Sequence, residues 1–154
     1  MINIEEYKDE CFDVVGAIYN VKKELGPGLN EKVYQEGLGI ELKAMEIPFE
    51  REVTVHPTYR GQKMESLFYL DFLCKKSVIV ELKSVKTLDM EHRAQLFNYM
   101  HIVKPKVGIL VNFAPLYAEV ERYFYDNTTN QIVNTEGKYL RNKYDDNITF
   151  NRVK

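Results

Sequence analysis

The sequence predicts an α/β domain in which a mixed β-sheet is flanked by helices. Three features predict it. Two stretches with helical apolar spacing precede residue 47, the pattern changes to strict alternation at Pro48, and a near-continuous apolar run spans Val107 to Phe113. The element order is α-α-β-β-β-α-β-β.

Tyr7, Cys11, Val14, Val15, Ile18 and Leu25 recur on one face of the first helix, with charged residues between them. Gly26-Pro27-Gly28 stops it, because glycine accepts the left-handed conformation at a helix end and proline cannot continue one. Asn30 is a good N-cap for a second helix, which carries Tyr34, Leu38, Leu42 and Met45 to about Glu46. After Pro48, alternation from Phe49 to Val55 predicts a half-exposed strand. Tyr59-Arg60-Gly61-Gln62 reads as a turn. Met64 to Leu73 and Ser77 to Lys83 are the second and third strands, with Lys75-Lys76 near the hairpin tip. Thr87 to about Val103 forms a helix that Lys104-Pro105 ends. Val107 to Phe113 is then a buried strand, and Ala118 to Tyr125 an edge strand. From Asp126 the chain is polar and rich in Asn, and its pattern assigns no element. The domain is therefore expected over 1–125, with 126–154 as a polar extension.

With 154 residues and 45% apolar content, the chain is sized for one domain with a real core. A net charge of −2 argues against a surface that clings everywhere to nucleic acid, although a carboxylate-lined site lowers apparent charge until a cation binds. Cys11 and Cys74 are too few for a disulfide framework or a zinc site, and Cys11 falls on an apolar helix stripe. No apolar run reaches the roughly 20 residues that span a bilayer, and the N-terminus lacks the layout of a secretion signal. A cytoplasmic protein without membrane partners is the expectation.

The stretch from Asp71 to Lys83 holds the residues with chemical promise. The pattern E-x-K occurs four times, at Glu6/Lys8, Glu41/Lys43, Glu81/Lys83 and Glu136/Lys138. The first two fall on helices, where i and i+2 point apart, and the last lies in the polar tail. Only Glu81/Lys83 follows an apolar strand and has an aspartate one hairpin upstream. Alternation puts Ile79, Glu81 and Lys83 on one face, with Glu81 and Lys83 about 6–7 Å apart along the strand. Asp71 shares that face if the hairpin closes with an odd-length connection such as Cys74-Lys75-Lys76, which sets Asp71 opposite Ile79. A two-residue turn would send it to the other side. Two converging carboxylates form an oxygen site suited to Mg²⁺ or Mn²⁺, where a cation would acidify a water and offset phosphoryl charge. Lys83 would handle that water or stabilise the developing charge. An ordinary surface ion pair explains the same stretch, and the stretch alone does not choose.

Gly28-x-x-Glu31-x-x-Tyr34 resembles the signature of the GxxExxY proteins, a branch of the PD-(D/E)xK nuclease superfamily with a restriction-endonuclease-like fold. The likeness runs on through Tyr59-Arg60-Gly61, Leu70-Asp71, Val80-Glu81-Leu82-Lys83, Gln95 to Tyr99 and Gly108 to Phe113, covering about 10–125. It implies a divalent-metal-dependent phosphodiesterase acting on DNA or RNA. Asp71 and Glu81 would be metal ligands, Glu31 an acid added to the metal site, Lys83 the catalytic lysine and Gln95 a glutamine presented by the following helix. Tyr34 and Tyr99 match supporting positions. Leu70 replaces the proline that names the superfamily, and Lys22 stands where many relatives carry histidine. By helical spacing Glu31 and Tyr34 share a face, as do Gln95 and Tyr99, yet Glu31 also suits a plain helix-start acid and the tyrosines suit a core.

His92 lies one turn before Gln95, while His56 and His101 show no ligand spacing and read as inert. Lys75-Lys76, Lys83, Lys86 and Arg93 would make a basic rim, or simply a solvated face. A non-catalytic binding module that keeps the fold is the competing reading, favoured by the acidic pI. A two-fold homodimer would suit cutting both strands of a duplex.

Overall fold

The computed structural model describes residues 1–140. The first helix, α1 (Ile4–Leu25), starts where the Asn3 side chain accepts from the Glu5 and Glu6 amides. It stops at Gly26, whose φ of +73° suits a residue without a Cβ. The second, α2 (Glu31–Ala44), is capped by Asn30 as its sequence predicts. Both helices lie on one face of a six-stranded sheet and bury their apolar stripes there.

The strands are β1 (Phe49–Val55), β2 (Thr58–Tyr59), β3 (Gln62–Lys63), β4 (Phe68–Cys74), β5 (Val78–Lys83), β6 (Val107–Asn112), β7 (Glu119–Asp126) and β8 (Gln131–Val133), with α3 (Met90–Val103) between β5 and β6. The large sheet has the order β1-β4-β5-β6-β7-β8. Its β5–β6 pair is parallel and the others antiparallel. This is a restriction-endonuclease-like arrangement of a mixed sheet flanked by helices.

The expected eight-element order survives with two additions. Arg60 and Gly61 both adopt positive φ, so the turn at Tyr59–Gln62 is the tip of a small β2–β3 ribbon. Beyond Asp126, β8 pairs with β7, Leu140 packs into the core and Tyr139 bridges to Val133. The Ala118–Tyr125 stretch is therefore an interior strand and not an edge; its short partner carries too few apolar residues to stand out in a polar sequence. The C-terminal remainder of the predicted extension, 141–154, lies outside the described residues. The second strand also starts later than expected, at Phe68, because Met64 to Leu67 form the exposed approach to it.

The β4–β5 connection is odd in length, as the face argument requires, but it is Lys75-Lys76-Ser77 and not Cys74-Lys75-Lys76. Cys74 pairs with Val78, Leu73 with Ile79 and Phe72 with Val80, so Asp71 comes level with Glu81 and not with Ile79. The reason is packing. Cys74 and Val78 are both fully buried and belong in the ladder, while Lys75 and Lys76 take left-handed conformations. Lys75 also anchors the tip to α1 through a 2.8 Å bond to Asp13 and a bond to the Glu10 carbonyl.

Burial on both faces explains the unbroken apolar runs of β5 and β6. Val80, Leu82, Ile109 and Val111 pack toward α1 and α2. Ile79 and Leu110 pack under Leu96, Phe97 and Met100 of α3. Gly108 is where α3 comes closest. A Cβ there would sit 2.4 Å from the Met100 sulfur and 3.0 Å from its Cγ. Gly108→Ala should therefore cost about 1–3 kcal/mol through overpacking; a urea melt with an unchanged midpoint would show that α3 has room to move.

Candidate active site

The chemistry gathers where the sheet splits. Along β1 and β4 the pairing runs Arg51 to Phe72, then Val53 to Leu70, skipping Glu52 and Asp71. Glu52 has a φ of +54°, so the backbone is kinked opposite Asp71. Leu70 packs in the α3-side cluster and Phe72 in the α1–α2-side cluster. Strict alternation would put both on one face, so the strand turns over at Asp71. The β4–β5 ladder ends at the same level, and side chains take over its bonds. The Asp71 amide donates to Glu81 Oε1 at 3.0 Å, and the Leu82 amide donates to Asp71 Oδ2 at 2.9 Å.

Glu81 is only 4% exposed. Burial holds its carboxyl well above the usual carboxylate range, and the neighbouring Asp71 charge pushes the same way. Asp71 is also raised, chiefly by burial; the Leu82 amide opposes this, Glu31 adds to it and Lys83 opposes it. The Glu81 carboxyl therefore keeps its proton into a higher pH range than an ordinary carboxylate while the Asp71 charge stands beside it.

Lys83 follows on the same strand, and its ammonium donates to Gln95 Oε1 of α3 at 3.3 Å. Tyr99 lies one helical turn after Gln95, and its pKa is pushed up to about 12 by burial and by the charges of Glu81 and Asp71. Asp71 with Glu81, and Lys83 with Gln95, thus form two bonded pairs at the end of β5. Glu31 stands apart, exposed at the start of α2, lining with Asp71 a cleft of about 310 Å³. Tyr34 is elsewhere: its hydroxyl donates to the Gly26 carbonyl at 2.5 Å and its ring stacks on Phe113 at 4.5 Å. Lys22 is buried beside it and holds the Phe113 and Pro115 carbonyls.

One residue escaped the sequence reading. Gln35, buried on α2, donates to Asp71 Oδ1 at 3.3 Å and is held by Arg51 at 3.1 Å. Its signal was present, because Gln35 is one helical turn after Glu31 and shares its face. The predicted basic rim is smaller than expected. Lys75 and Lys76 sit at the other end of β5 from Lys83, and Arg93 is held by Glu121 through bonds of 2.8 and 2.7 Å. His92 closes the capping box of α3, where its Nδ1 accepts from the Asp89 amide.

No group of three or more His, Cys, Asp or Glu poised for a metal occurs among the described residues. A buried Glu81 carboxyl beside the half-buried Asp71 carboxyl nevertheless matches a hard cation that keeps much of its own water.

The sequence matches a family described as the PD-(D/E)XK nuclease superfamily over residues 8–123. Comparison with curated proteins finds no match. Among solved structures, one titled "Crystal structure of SSO0001" aligns with a TM-score of 0.50 at 21% identity, covering 82% of this chain and 64% of that one. That likeness concerns the fold alone. No helix among the described residues is long and apolar enough to cross a membrane.

A raised carboxyl pKa favours the folded state below the ordinary carboxylate value, near 4, and costs stability as pH rises through the raised one. Glu81→Gln removes that cost and gives Asp71 an amide donor. Without divalent metal, the variant should unfold at a higher temperature than wild type at pH 7, by about 2–4 °C per kcal/mol recovered, and the gap should close toward pH 4. Added Mg²⁺ should raise the wild-type midpoint and leave the variant's unmoved. Calorimetry showing the variant less stable at pH 7 would contradict this electrostatic account.

Proposed function

Since the chain belongs to the PD-(D/E)XK nuclease superfamily, we propose that it is a divalent-metal-dependent phosphodiesterase of the GxxExxY type, hydrolysing DNA or RNA. The observation that carries this reading is the interlocking of two acids at the split between β4 and β5, the Asp71 amide on the Glu81 carboxyl and the Leu82 amide on the Asp71 carboxyl, with Lys83 next on the strand. A carboxyl pair strained by its own charge gains stability from any hard cation that arrives. A structural ion pair would have no use for the second acid.

Asp71 and Glu81 would hold Mg²⁺ or Mn²⁺, and Glu31 would reach it across their shared cleft. When bound, the ion supplies Lewis acidity toward the phosphate and lowers the pKa of water. The remaining work belongs to the chain. Gln35 and the Leu82 amide fix the Asp71 carboxylate so that both oxygens are already oriented. The Asp71 amide does the same for Glu81. The Lys83 ammonium, steadied by Gln95, stabilises negative charge growing on the scissile phosphate as water attacks phosphorus and the ester P–O bond breaks. The backbone around Lys83 is fixed as well. Its carbonyl accepts from the Phe113 amide at 2.9 Å, and the buried Asn112 bonds both the amide and the carbonyl of Val85.

Purified protein should cut DNA or RNA with Mg²⁺ or Mn²⁺ and stop when the metal is chelated. Lys83→Ala should slow cutting by about 10²–10³-fold, the scale of one lost charge-stabilising donor, while its unfolding midpoint stays near that of wild type. Equal cutting by wild type and Lys83→Ala would sink the assignment.

A further inference from the structure

A second concavity opens beside the carboxylates. It is a cleft of about 620 Å³ between α3 and the far end of β1 and β4, lined by His56, Thr58, Phe68, Asn98, His101 and Lys104 among others. It lies close to the proposed site along two elements, since Phe68 precedes Asp71 on β4 and Asn98 follows Gln95 on α3. Tyr99 feels the charges of Glu81 and Asp71 on one side, and on the other its ring lies 5.4 Å from that of Phe68.

We infer that this cleft receives the unstacked base of the nucleotide next to the scissile phosphate, so that the substrate is nucleic acid unpaired at that position. The inference rests on the nuclease reading for where the phosphate lies. Four features support it. The first is charge: in a chain with 23 Asp and Glu and a net charge of −2, no carboxylate among the described residues lines this cleft, whereas Lys104 and two histidines do. A polyanion can enter it without like-charge repulsion. The second is the lining. Phe68 keeps about a third of its surface exposed at 36%, an aromatic face that any base can stack on, and Asn98 brings both a donor and an acceptor.

The third feature is that the walls are built in advance. His56 Nδ1 contacts the Met64 and Ser66 carbonyls at 3.0 and 3.2 Å, and the Met64 amide donates to the Pro57 carbonyl at 2.9 Å. These bonds tie the β2–β3 ribbon and the approach to β4 into a fixed rim. The fourth is size, which falls within the roughly 300–1,000 Å³ usual for small-molecule pockets. A base stacked and paired within a duplex cannot reach a recess of this kind, because it must first leave the stack.

Binding without added divalent metal separates this inference from the nuclease reading. Fluorescein-labelled single-stranded DNA, single-stranded RNA and a duplex of the same sequence would be titrated with the full chain and followed by fluorescence anisotropy. At least one single strand should bind more tightly than the duplex. Phe68→Ala should weaken that binding about tenfold, within the range for one lost base stack. Lys104→Gln, which keeps the backbone of the exposed α3 C-cap and removes only the charge, should weaken it about threefold and lower the salt slope by about 0.7. Lys23→Gln, on the exposed side of α1 across the sheet from α3, should bind as wild type does. Preference for duplex, or unchanged affinity in both cleft variants, would overturn the inference whether or not the protein cuts. Single-strand binding that is lost in the cleft variants of a protein that cuts nothing would keep the base site and dismiss the nuclease.

Discussion

Two acids pressed together out of water repel each other and lose hydration, so a fold keeps such a pair only when it supplies compensation on every side. Here the compensation comes from the backbone itself. The amide that Asp71 would have given to a neighbouring strand goes to Glu81, and the amide of Leu82 goes to Asp71. The kink at Glu52 and the end of the β4–β5 ladder are the two departures from regular pairing that free these groups. Each would be a defect in an ordinary sheet. Together they turn a split between two interior strands into an acidic site.

The rest of the molecule keeps that split in place. Strands β5 and β6 are buried on both faces, so the strand that carries Glu81 and Lys83 cannot slip without exposing a full set of apolar side chains. Helix α2 reaches the site from one face through Gln35, and α3 from the other through Gln95 and Tyr99. Farther out, Lys22 and Tyr34 fasten the Gly26–Gly28 loop and the loop after β6. A motif residue such as Tyr34 can thus serve the site by holding the elements around it, at a distance from the carboxylates.

The proposed recognition of nucleic acid does not draw on overall charge. Among the described residues the cleft beside the carboxylates has no lining acids. A backbone phosphate beside a cation and a base in an uncharged aromatic recess are complementary demands. Tyr99 stands between the two, its ring against Phe68 and its hydroxyl in the field of Glu81 and Asp71.

The sequence alone determined the helices, the apolar strands and the candidate acids. Helix caps such as Asn30 and stops such as Gly26 are local chemistry, and the alternation that marks Glu81 and Lys83 as neighbours needs only a strand. Context also singled out one E-x-K among four. Tertiary structure decided what depends on pairing. That includes the register that sets Asp71 level with Glu81, the strand β8 in a polar stretch, the ion pair that holds Arg93, and the cleft formed by Phe68 and Asn98. These could not be read in advance because their partners lie far apart along the chain. A strand's face is set by its neighbour's register and a side chain's availability by what packs against it, and neither is written in local spacing.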